Sequence, residues 1–370
     1  MAAADFRSVL ENLAGLRTDD GWTLTELVKK ESFQTGGAFS LGYHALHDSG
    51  ALGFAKVLDF SRAAEQRDTI RALQVMTESY NFERDILALC RKTRLSKIVV
   101  AISDGEIYLD GAPFDKVFYL IFELANGDVR KKAVESNAFD LTWTMRATHH
   151  IATGVMQLHS KEIYHQDLKP SNILVFGDGD ISKLADLGRA HCSSIGAPHD
   201  HLIAPGARSY APPEQLYGFS LPDNIHSRSS SDLYLMGSII YFFFMGTMLT
   251  PSIASGLSDA HKPRFLSVND GGWTGTYDDV LPYLLFSYEE VARHFEARAS
   301  QAFSEAKIPD VGAKLINLFR YLTNPDPRLR GHPNERRLKY SNPYDMRMFV
   351  STFASIAHAC ELRLERTDAA

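Results

Sequence analysis

The sequence predicts an α+β protein with two lobes, a small sheet-rich lobe followed by a larger helical one. The chain has 370 residues, which exceeds the roughly 250–300 residues at which a single hydrophobic core usually stops growing. Short apolar runs broken by glycine fill the first part, whereas longer segments with helical periodicity fill the rest. Strands and helices segregated along a chain in this way are typical of α+β architecture.

Composition and charge exclude several classes of protein function. Hydrophobic residues make up 45% of the chain and charged residues 23%, which excludes a disordered or collagenous protein. The formal net charge is −6, so broad nucleic-acid binding, which requires a basic face, is not expected. We expect no membrane partner, because the most apolar stretch, residues 235–249, is too short to cross a bilayer. Three separated cysteines without a CxxC pair favour free thiols and a cytoplasmic location: Cys90, Cys192 and Cys360.

The first lobe is expected to begin with a helix and continue with strands. Apolar side chains three and four residues apart predict an amphipathic helix over residues 5–17. We assign residues 1–21 to this N-terminal helical extension. From residue 22 onward short apolar runs alternate with glycine turns, which predicts three strands within residues 22–60.

One helix and two more strands complete the first lobe. Helical periodicity over residues 75–92 places apolar side chains on one face. Two apolar runs then predict strands over residues 98–103 and 117–124. We therefore assign residues 22–125 to the sheet-rich lobe.

Beyond residue 125 the pattern becomes mainly helical. A long helix is predicted over residues 143–159, and a glycine turn between two short apolar runs predicts a hairpin with strands over 173–176 and 182–185. The join between the lobes, residues 125–127, is short, and we interpret it as a hinge. Clefts at such joins often bind ligands.

The second lobe is assigned to residues 126–335. Within it, residues 250–310 match no pattern that we recognise, and we interpret them as an elaboration that recruits a substrate or partner. Residues 336–370 are assigned to a C-terminal helix with one apolar face. That face either packs onto the body, which we favour, or contacts a partner.

One polar stretch carries the strongest chemical signal. Residues 164–172 read YHQDLKPSN, and Asp186 follows fourteen residues after Asn172, within LADLG at residues 184–188. Here the sequence resembles the protein kinase family, and specifically its serine/threonine branch. The resemblance extends over about residues 24–330 and implies a two-lobed protein kinase-like fold.

The resemblance implies chemical roles for four side chains. Asp167 stands where the family has its catalytic base, and Lys169 where a cation lies against the transferred γ-phosphate. Asn172 and Asp186 match the family's magnesium ligands. Phosphoryl transfer needs such groups, because the incoming hydroxyl must meet a carboxylate while magnesium and cations neutralise the phosphates. ATP and Mg²⁺ are therefore the implied cofactors.

Upstream, the family has a paired lysine and glutamate. Lys56 lies in FAKVL at residues 54–58, which resembles the strand whose lysine holds the α- and β-phosphates. Its implied partner on the following helix is Glu83, and Glu78 is the weaker candidate. Either glutamate could instead lie on a solvated helix face. The long separation leaves room for an insertion around residues 62–74.

Two further segments resemble parts of a nucleotide site. Residues 35–42, TGGAFSLG, only partly match the glycine-rich loop GxGxxGxV, and Gly42 replaces the valine, which thins the ceiling over adenine. A plain hairpin turn would show the same pattern. Residues 119–125 resemble the hinge, where backbone groups of Glu123 and Leu124 would meet adenine. Small residues in the loop let backbone amides approach phosphates, and the implied positions are Thr35, Gly36, Gly37, Ala38, Phe39 and Ser40.

Downstream segments resemble structural parts of the same family. Residues 206–214, GARSYAPPE, are similar to the end of the activation segment. The resemblance implies that Glu214 pairs with a buried Arg330 and that Asp232 holds the backbone of the catalytic loop. These contacts would show that the whole second lobe is present.

Positions of the second lobe also depart from the family pattern. Gln166 replaces an arginine that in many kinases meets a phosphorylated activation segment, so control by such phosphorylation is not expected. Ala207 replaces a threonine whose hydroxyl would bridge toward the catalytic residues, and its loss puts substrate positioning in doubt. Leu187 replaces phenylalanine, which is a conservative apolar change.

The leading hypothesis is an ATP- and Mg²⁺-dependent protein kinase that phosphorylates Ser or Thr of a protein substrate. A pseudokinase that acts as scaffold or switch is the alternative, favoured by the irregular loop, Gln166 and Ala207. A small-molecule kinase of similar fold is disfavoured by Lys169 and Glu214. A metal site in the activation segment is a further, weaker alternative, with candidate ligands His191, Cys192, His199, Asp200 and His201.

Overall fold

An antiparallel sheet of five strands makes up most of the first lobe. The structure is a computed structural model that describes residues 3–28, 40–109, 116–135, 139–267, 271–338 and 342–368. In chain order the elements of this lobe are α1 (Ala3–Leu10), β1 (Trp22–Leu27), β2 (Ser40–His47), β3 (Leu52–Leu58), α2 (Ser61–Ala64), α3 (Thr69–Lys92), β4 (Ala101–Tyr108) and β5 (Lys116–Glu123).

Strand β3 connects the core of this lobe to the cleft. It lies in the middle of the sheet, whose order is β1-β2-β3-β5-β4. Ala55 and Val57 are buried on one face, and Phe54 and Lys56 lie on the other, because successive side chains of a strand alternate. The three strands predicted within residues 22–60 are confirmed as β1, β2 and β3.

The predicted first helix is too long. It ends as α1 at Leu10 and does not continue to residue 17, because the chain turns there to place Leu13 in the core. The Tyr43 hydroxyl donates to the Leu10 carbonyl at 2.5 Å and accepts from the Leu13 amide at 3.3 Å. A long-range contact with β2 therefore stabilises the end of this helix.

Helix α3 and strand β4 also differ from their predicted starts. Helix α3 begins six residues before residue 75, where Asp68 accepts a hydrogen bond from the Arg71 amide at 3.0 Å and caps the first turn. Strand β4 begins three residues after Ile98, because Ile98 instead forms an isolated bridge with Leu184 of the second lobe. Both corrections rest on contacts that periodicity does not show.

The second lobe is mainly helical with three short strand pairings. The predicted long helix and the predicted hairpin are confirmed as α5 and as β8 with β9. In chain order the elements are β6 (Gly127–Asp128), α4 (Val129–Glu135), α5 (Leu141–His159), β7 (Ile163–Tyr164), β8 (Ile173–Phe176), β9 (Ile181–Leu184), β10 (His191–Cys192), α6 (Pro213–Leu216), α7 (Asn224–Met245), α8 (Leu249–Ser255), α9 (Tyr277–Glu305), α10 (Pro309–Thr323), α11 (Pro333–Arg337) and α12 (Arg347–Asp368).

Helix α7 forms the buried centre of the second lobe. Asp223 accepts from the His226 amide at 2.8 Å and caps its start, eight residues before Asp232. Gly246 ends the helix at φ 68°, a left-handed conformation that suits glycine. Among the described residues, no single helix is long and apolar enough to cross a bilayer, although α7 and α8 meet that length and composition test as a bent pair.

Residues 250–310 are built largely of packed helices. Helix α9 begins with a capping box in which Thr276 and Asp279 satisfy each other's backbone amides. It packs against α10, where the rings of Phe295 and Phe319 lie 4.0 Å apart. The segment is therefore a helical layer of the second lobe.

The C-terminal helix α12 packs along α5. Phe349 and Phe353 are buried between α12 and the rest of the lobe, and Arg146 of α5 donates to Glu361 at 2.9 Å. This confirms the favoured prediction that the helix packs onto the body. The three cysteines are buried free thiols.

His150 is expected to make the stability of the second lobe depend on pH. The ring is partly buried on α5, and its Nδ1 accepts from the Ser182 amide at 3.3 Å. Burial and then the positive charge of Lys97 lower its pKa from 6.5 to about 4. Because the folded-state pKa is lowered, the unfolded chain binds the proton more tightly. The free energy of unfolding therefore falls as pH drops from 6.5 toward 4.

The variant His150→Gln is expected to reduce this loss, because glutamine does not titrate in this range. Its amide oxygen can still accept from the Ser182 amide, so the native contact is kept. For the wild type we expect His150 to remove about 1–2 kcal/mol of stability between pH 7.5 and 4.5, a value lowered to allow for partial exposure. Urea denaturation at both pH values measures the difference. His294→Gln, on an exposed face of α9, is the control. An equal acid loss in the His150 variant and the wild type contradicts the prediction.

Candidate active site

A cleft between the two lobes contains most of the predicted site residues that the structure describes. Two adjoining cavities of about 370 and 360 Å³ lie in it, within the range of small-molecule sites, about 300–1,000 Å³. We call the first the catalytic cavity, because Asp167 and Lys169 line it, and the second the hinge cavity, because Glu123 and Leu124 line it. Both cavities share Ser40, Lys56, Glu83 and Asp186.

Lys56 and Glu83 form the predicted ion pair. Lys56 Nζ on β3 lies 2.7 Å from both carboxylate oxygens of Glu83 on α3. Burial opposes the charge on Lys56, but Glu83 and Asp186 outweigh it and raise the lysine's pKa. Burial raises the pKa of Glu83 in spite of its contact with Lys56. The weaker candidate, Glu78, is exposed and accepts from Gln74 at 2.8 Å.

Asp186 brings a second carboxylate to the same lysine. Its Oδ1 lies 3.8 Å from Lys56 Nζ, and its backbone adopts φ 60°, a left-handed conformation that is uncommon outside glycine. Burial would raise the pKa of Asp186, but the positive charges of Lys56 and Lys169 and the neighbouring His165 lower it on balance. The carboxylate therefore stays ionised inside the cleft.

Asp167 is held by three other groups of the site. Lys169 Nζ donates to Asp167 Oδ2 at 2.6 Å, and the Ala207 amide donates to Oδ1 at 2.7 Å. The Asn172 side-chain amide donates to the Asp167 carbonyl at 2.9 Å. The spacing of these residues in the sequence thus folds into one connected cluster around a carboxylate.

Asp232 fixes the backbone that carries this cluster, as predicted. Its two carboxylate oxygens accept from the amides of His165 and Gln166, each at 2.8 Å. It also contacts the His159 ring at 2.9 Å. Because Asp232 is fully buried in α7, the loop that carries Asp167 is tied to the buried centre of the second lobe.

Asp167 keeps a hydrogen-bond donor at position 207, although alanine has no hydroxyl there. The Ala207 backbone amide makes the contact that holds Oδ1. This close approach depends on Gly206, since a Cβ there would lie 2.3 Å from the Gln166 carbonyl and 2.9 Å from Asp167 Oδ1. The backbone therefore holds the carboxylate at this position, and reasoning from side chains alone missed it.

The donor set fits a magnesium ion. Asn172 and Asp186 both line the hinge cavity, and amide and carboxylate oxygens are the ligands that Mg²⁺ prefers. The Asn172 side-chain nitrogen points to Asp167, with contacts at 2.9 and 3.3 Å, so its side-chain oxygen is the atom that could act as a ligand. These two residues could hold the ion beside Lys56.

The predicted nucleotide-binding positions are only partly described. Ser40 begins β2 and lines both cavities, whereas Thr35, Gly36, Gly37, Ala38 and Phe39 lie outside the described residues. At the hinge, the Glu123 amide donates to the Val100 carbonyl at 3.1 Å, so it is not free to meet a base. The Glu123 carboxylate binds Lys183 at 2.7 Å. Leu124 lines the hinge cavity, and so does Ala125, which belongs to the predicted hinge segment but was not among its predicted adenine contacts.

Phe54 and Leu174 are apolar residues of the hinge cavity that the prediction did not include. Phe54 lines it from the first lobe and Leu174 from the second. Phe54 could have been found, because it lies two residues before Lys56 on β3 and side chains two residues apart on a strand share a face. Leu174 lies on β8, whereas Asn172 ends the turn before that strand, so the same rule does not connect them.

Two other predictions for the second lobe concern the Glu214–Arg330 pair and a metal site in the activation segment. Arg330, fully buried, binds Glu214 through Nη2 at 2.6 Å, which confirms that pair. In the activation segment, His191 Nδ1 lies 2.7 Å from Asp200, and His199 binds the Ala190 carbonyl at 3.0 Å. In the part of the chain that the structure describes, no group of three or more His, Cys, Asp or Glu side chains could hold a metal.

The sheet-rich lobe, the helical lobe and the charged cleft between them together define the class of phosphotransferases with a protein kinase fold. Residues 36–277 match the model of the protein kinase domain, which is more than half of the chain. The chain therefore belongs to the protein kinase family.

Curated relatives place it with the serine/threonine branch. A probable serine/threonine-protein kinase PknB of Lactococcus lactis is 27% identical over 58% of this chain and 33% of its own length. Serine/threonine-protein kinase PknL of Mycobacterium tuberculosis is 28% identical over 54% of this chain and 50% of its length. Ribosomal protein S6 kinase 2 alpha of Gallus gallus is 25% identical over 81% of this chain and 36% of its own length. The chain thus spans a third to a half of the length of these relatives.

Proposed function

We propose that this chain is an active protein kinase that transfers the γ-phosphate of ATP to serine or threonine hydroxyls of a protein substrate. The observation that carries the proposal is the convergence of two clusters across one cleft. Asp167, held by Lys169 and Ala207, lies on one side, and the Lys56–Glu83 pair lies on the other. The names of the relatives support the same activity.

Each side chain has a distinct part in the proposed reaction. Asp167 accepts the proton of the substrate hydroxyl as the bond from its oxygen to the γ-phosphorus forms. The bond between that phosphorus and the bridging oxygen of the β-phosphate breaks, and ADP leaves. Lys169 neutralises the transferred group, and Lys56, oriented by Glu83, binds the phosphates nearer the ribose. Magnesium bound near Asp186 would supply charge neutralisation for the phosphates. The intact set of charged groups supports the active enzyme over a pseudokinase.

The test is phosphate transfer from labelled ATP to a generic protein acceptor, with and without EDTA. We expect magnesium-dependent label on the protein, recovered as phosphoserine or phosphothreonine after acid hydrolysis. ATP binding without transfer to any acceptor would support a pseudokinase. Label that appears only on a small-molecule acceptor would support the small-molecule kinase.

We also propose that the activation segment is held without phosphorylation. The Gln166 side chain donates to the Arg228 carbonyl at 2.9 Å and to Asp232 at 3.0 Å. The buried Arg228 guanidinium donates to the Asp200 carbonyl at 2.9 Å and lies 3.5 Å from that of Leu202. An arginine of α7 therefore anchors the segment through backbone carbonyls, so no phosphate group is needed there.

The variant Arg228→Met is expected to lower kcat about tenfold, because it removes the donor that binds two carbonyls of the activation segment and so loosens the segment. The KM for ATP should change little, since Arg228 lies outside both cavities. Phosphatase treatment of the wild type should leave its activity unchanged. A phosphatase-sensitive wild type contradicts the proposal. A Met variant with unchanged kcat contradicts it too, and Arg293→Met, on the exposed surface of α9, is the matched control.

A further inference from the structure

A glycine in the middle of strand β2 has no conformational reason to be glycine. Gly42 pairs with Lys56 in regular antiparallel register, and its φ lies outside the left-handed region. A Cβ at this position would lie 2.7 Å from Cε2 and from Cζ of Phe54, and 3.7 Å from Cβ of Val28. The Phe54 ring already occupies the space that a side chain would need. Gly42 is therefore explained by the position of Phe54.

The Phe54 ring also faces the cavity where a base would lie. Phe54 shares the cleft-facing side of β3 with Lys56, because the two residues are two positions apart. It lines the hinge cavity together with Leu174 of the other lobe and Leu124 of the hinge. A flat apolar ring and an aliphatic side chain from opposite lobes thus border one cavity.

We propose that Phe54 forms the upper wall of the base site, so that adenine stacks between its ring and Leu174, and that Gly42 leaves room for this ring. The inference rests on the proposed function, since it concerns the nucleotide which that function requires. Gly42 has no side chain that could cover the base, so the Phe54 ring of the neighbouring strand β3 supplies this apolar contact. An aromatic wall favours a base with a large π face, which makes Phe54 a positioning residue for the purine.

The first test separates contacts to the base from contacts to the phosphates. Binding of Mg-ATP and of magnesium tripolyphosphate is measured by calorimetry for the wild type, Phe54→Ala and Phe118→Ala. We expect Phe54→Ala to weaken ATP binding about tenfold, the loss of one stacking contact with its buried area. Tripolyphosphate binding should be unchanged, because it has no base. Phe118 lies outside both cavities and packs against Phe60 and Tyr80, so its variant controls for loss of a ring from the same sheet.

The second test uses the steric relation between Gly42 and Phe54. Gly42→Ala should displace the ring and weaken ATP binding. In the background of Phe54→Ala, the change Gly42→Ala should weaken ATP binding no further, because the ring atoms that clash with the new Cβ are gone. The double variant Gly42→Val with Phe54→Ala should recover part of the lost affinity, since it restores an apolar wall from β2. Thermal melting of each variant confirms that it is folded.

The outcomes distinguish this inference from the proposed function. If the wild type binds neither ATP nor tripolyphosphate, the proposed function is wrong and the stacking proposal falls with it. If the wild type binds ATP and Phe54→Ala binds it equally well or more tightly, only the stacking proposal is wrong, and the ring then lies beside the base or obstructs it. Equal weakening of ATP and tripolyphosphate binding by Phe54→Ala also overturns it, because the effect is then not on the base.

Discussion

Replacing Asp167 by asparagine is expected to reduce phosphate transfer by about a hundredfold to ten-thousandfold, the usual contribution of a general base. The change removes the charge that accepts the substrate proton but keeps the size of the side chain. Nucleotide binding should persist, since Lys56 lies across the cleft on β3 and Asp186 lies on a separate segment that follows β9. Single-turnover transfer from labelled ATP measures the chemical step, and calorimetry with Mg-ATP measures binding.

The matched control is Asp178→Asn, an exposed carboxylate in the turn between β8 and β9 of the same lobe. It should retain wild-type transfer. If Asp167→Asn keeps most of the transfer rate, Asp167 is not the base and the proposed mechanism is wrong. If it loses nucleotide binding as well as transfer, the carboxylate acts in ground-state binding, and the assignment of its role must change.

The site residues that could be predicted from the sequence are those that lie close together in the chain. Asp167, Lys169 and Asn172 lie within six residues, so their mutual contacts depend on one loop conformation. Asp186 follows a single hairpin, β8 with β9, whose register brings it back beside that loop. Glu83 could be preferred to Glu78 because Ile86 and Leu87 follow it, as the resemblance to the family's helix implies. The structure places Glu83 on the buried face of that helix.

The contacts that sequence reasoning missed join residues far apart in the chain. The position of the Phe54 ring over Gly42 depends on the register of β2 against β3, which is set by pairing and turn geometry and not by either segment alone. Arg228 lies near the start of α7 and reaches the carbonyl of Asp200, 28 residues earlier in the chain. The Ala207 contact is made by the backbone, so no side-chain pattern could reveal it.

Removing the carboxylate of Glu214 is expected to destabilise the protein by about 3–5 kcal/mol, because it leaves the charge of Arg330 buried without its partner. Arg330 is 0% exposed, and burial opposes its charge, but Glu214 raises its pKa and keeps it protonated. The same guanidinium donates to the carbonyls of Asn324 and Pro325 and lies over the Tyr234 ring. Urea denaturation of Glu214→Ala at neutral pH measures the loss.

An exposed ion pair of the same lobe gives the comparison that isolates burial. Arg320 binds Glu289 at 2.9 Å on the surface of α9 and α10, and Glu289→Ala should cost about 1 kcal/mol or less because water screens exposed pairs. The double variant Glu214→Ala with Arg330→Met should be less destabilised than the sum of its single variants, since it leaves no unpaired charge inside the lobe. Additive losses, or equal losses for Glu214→Ala and Glu289→Ala, would show that an unpaired buried charge is not the cause of the destabilisation.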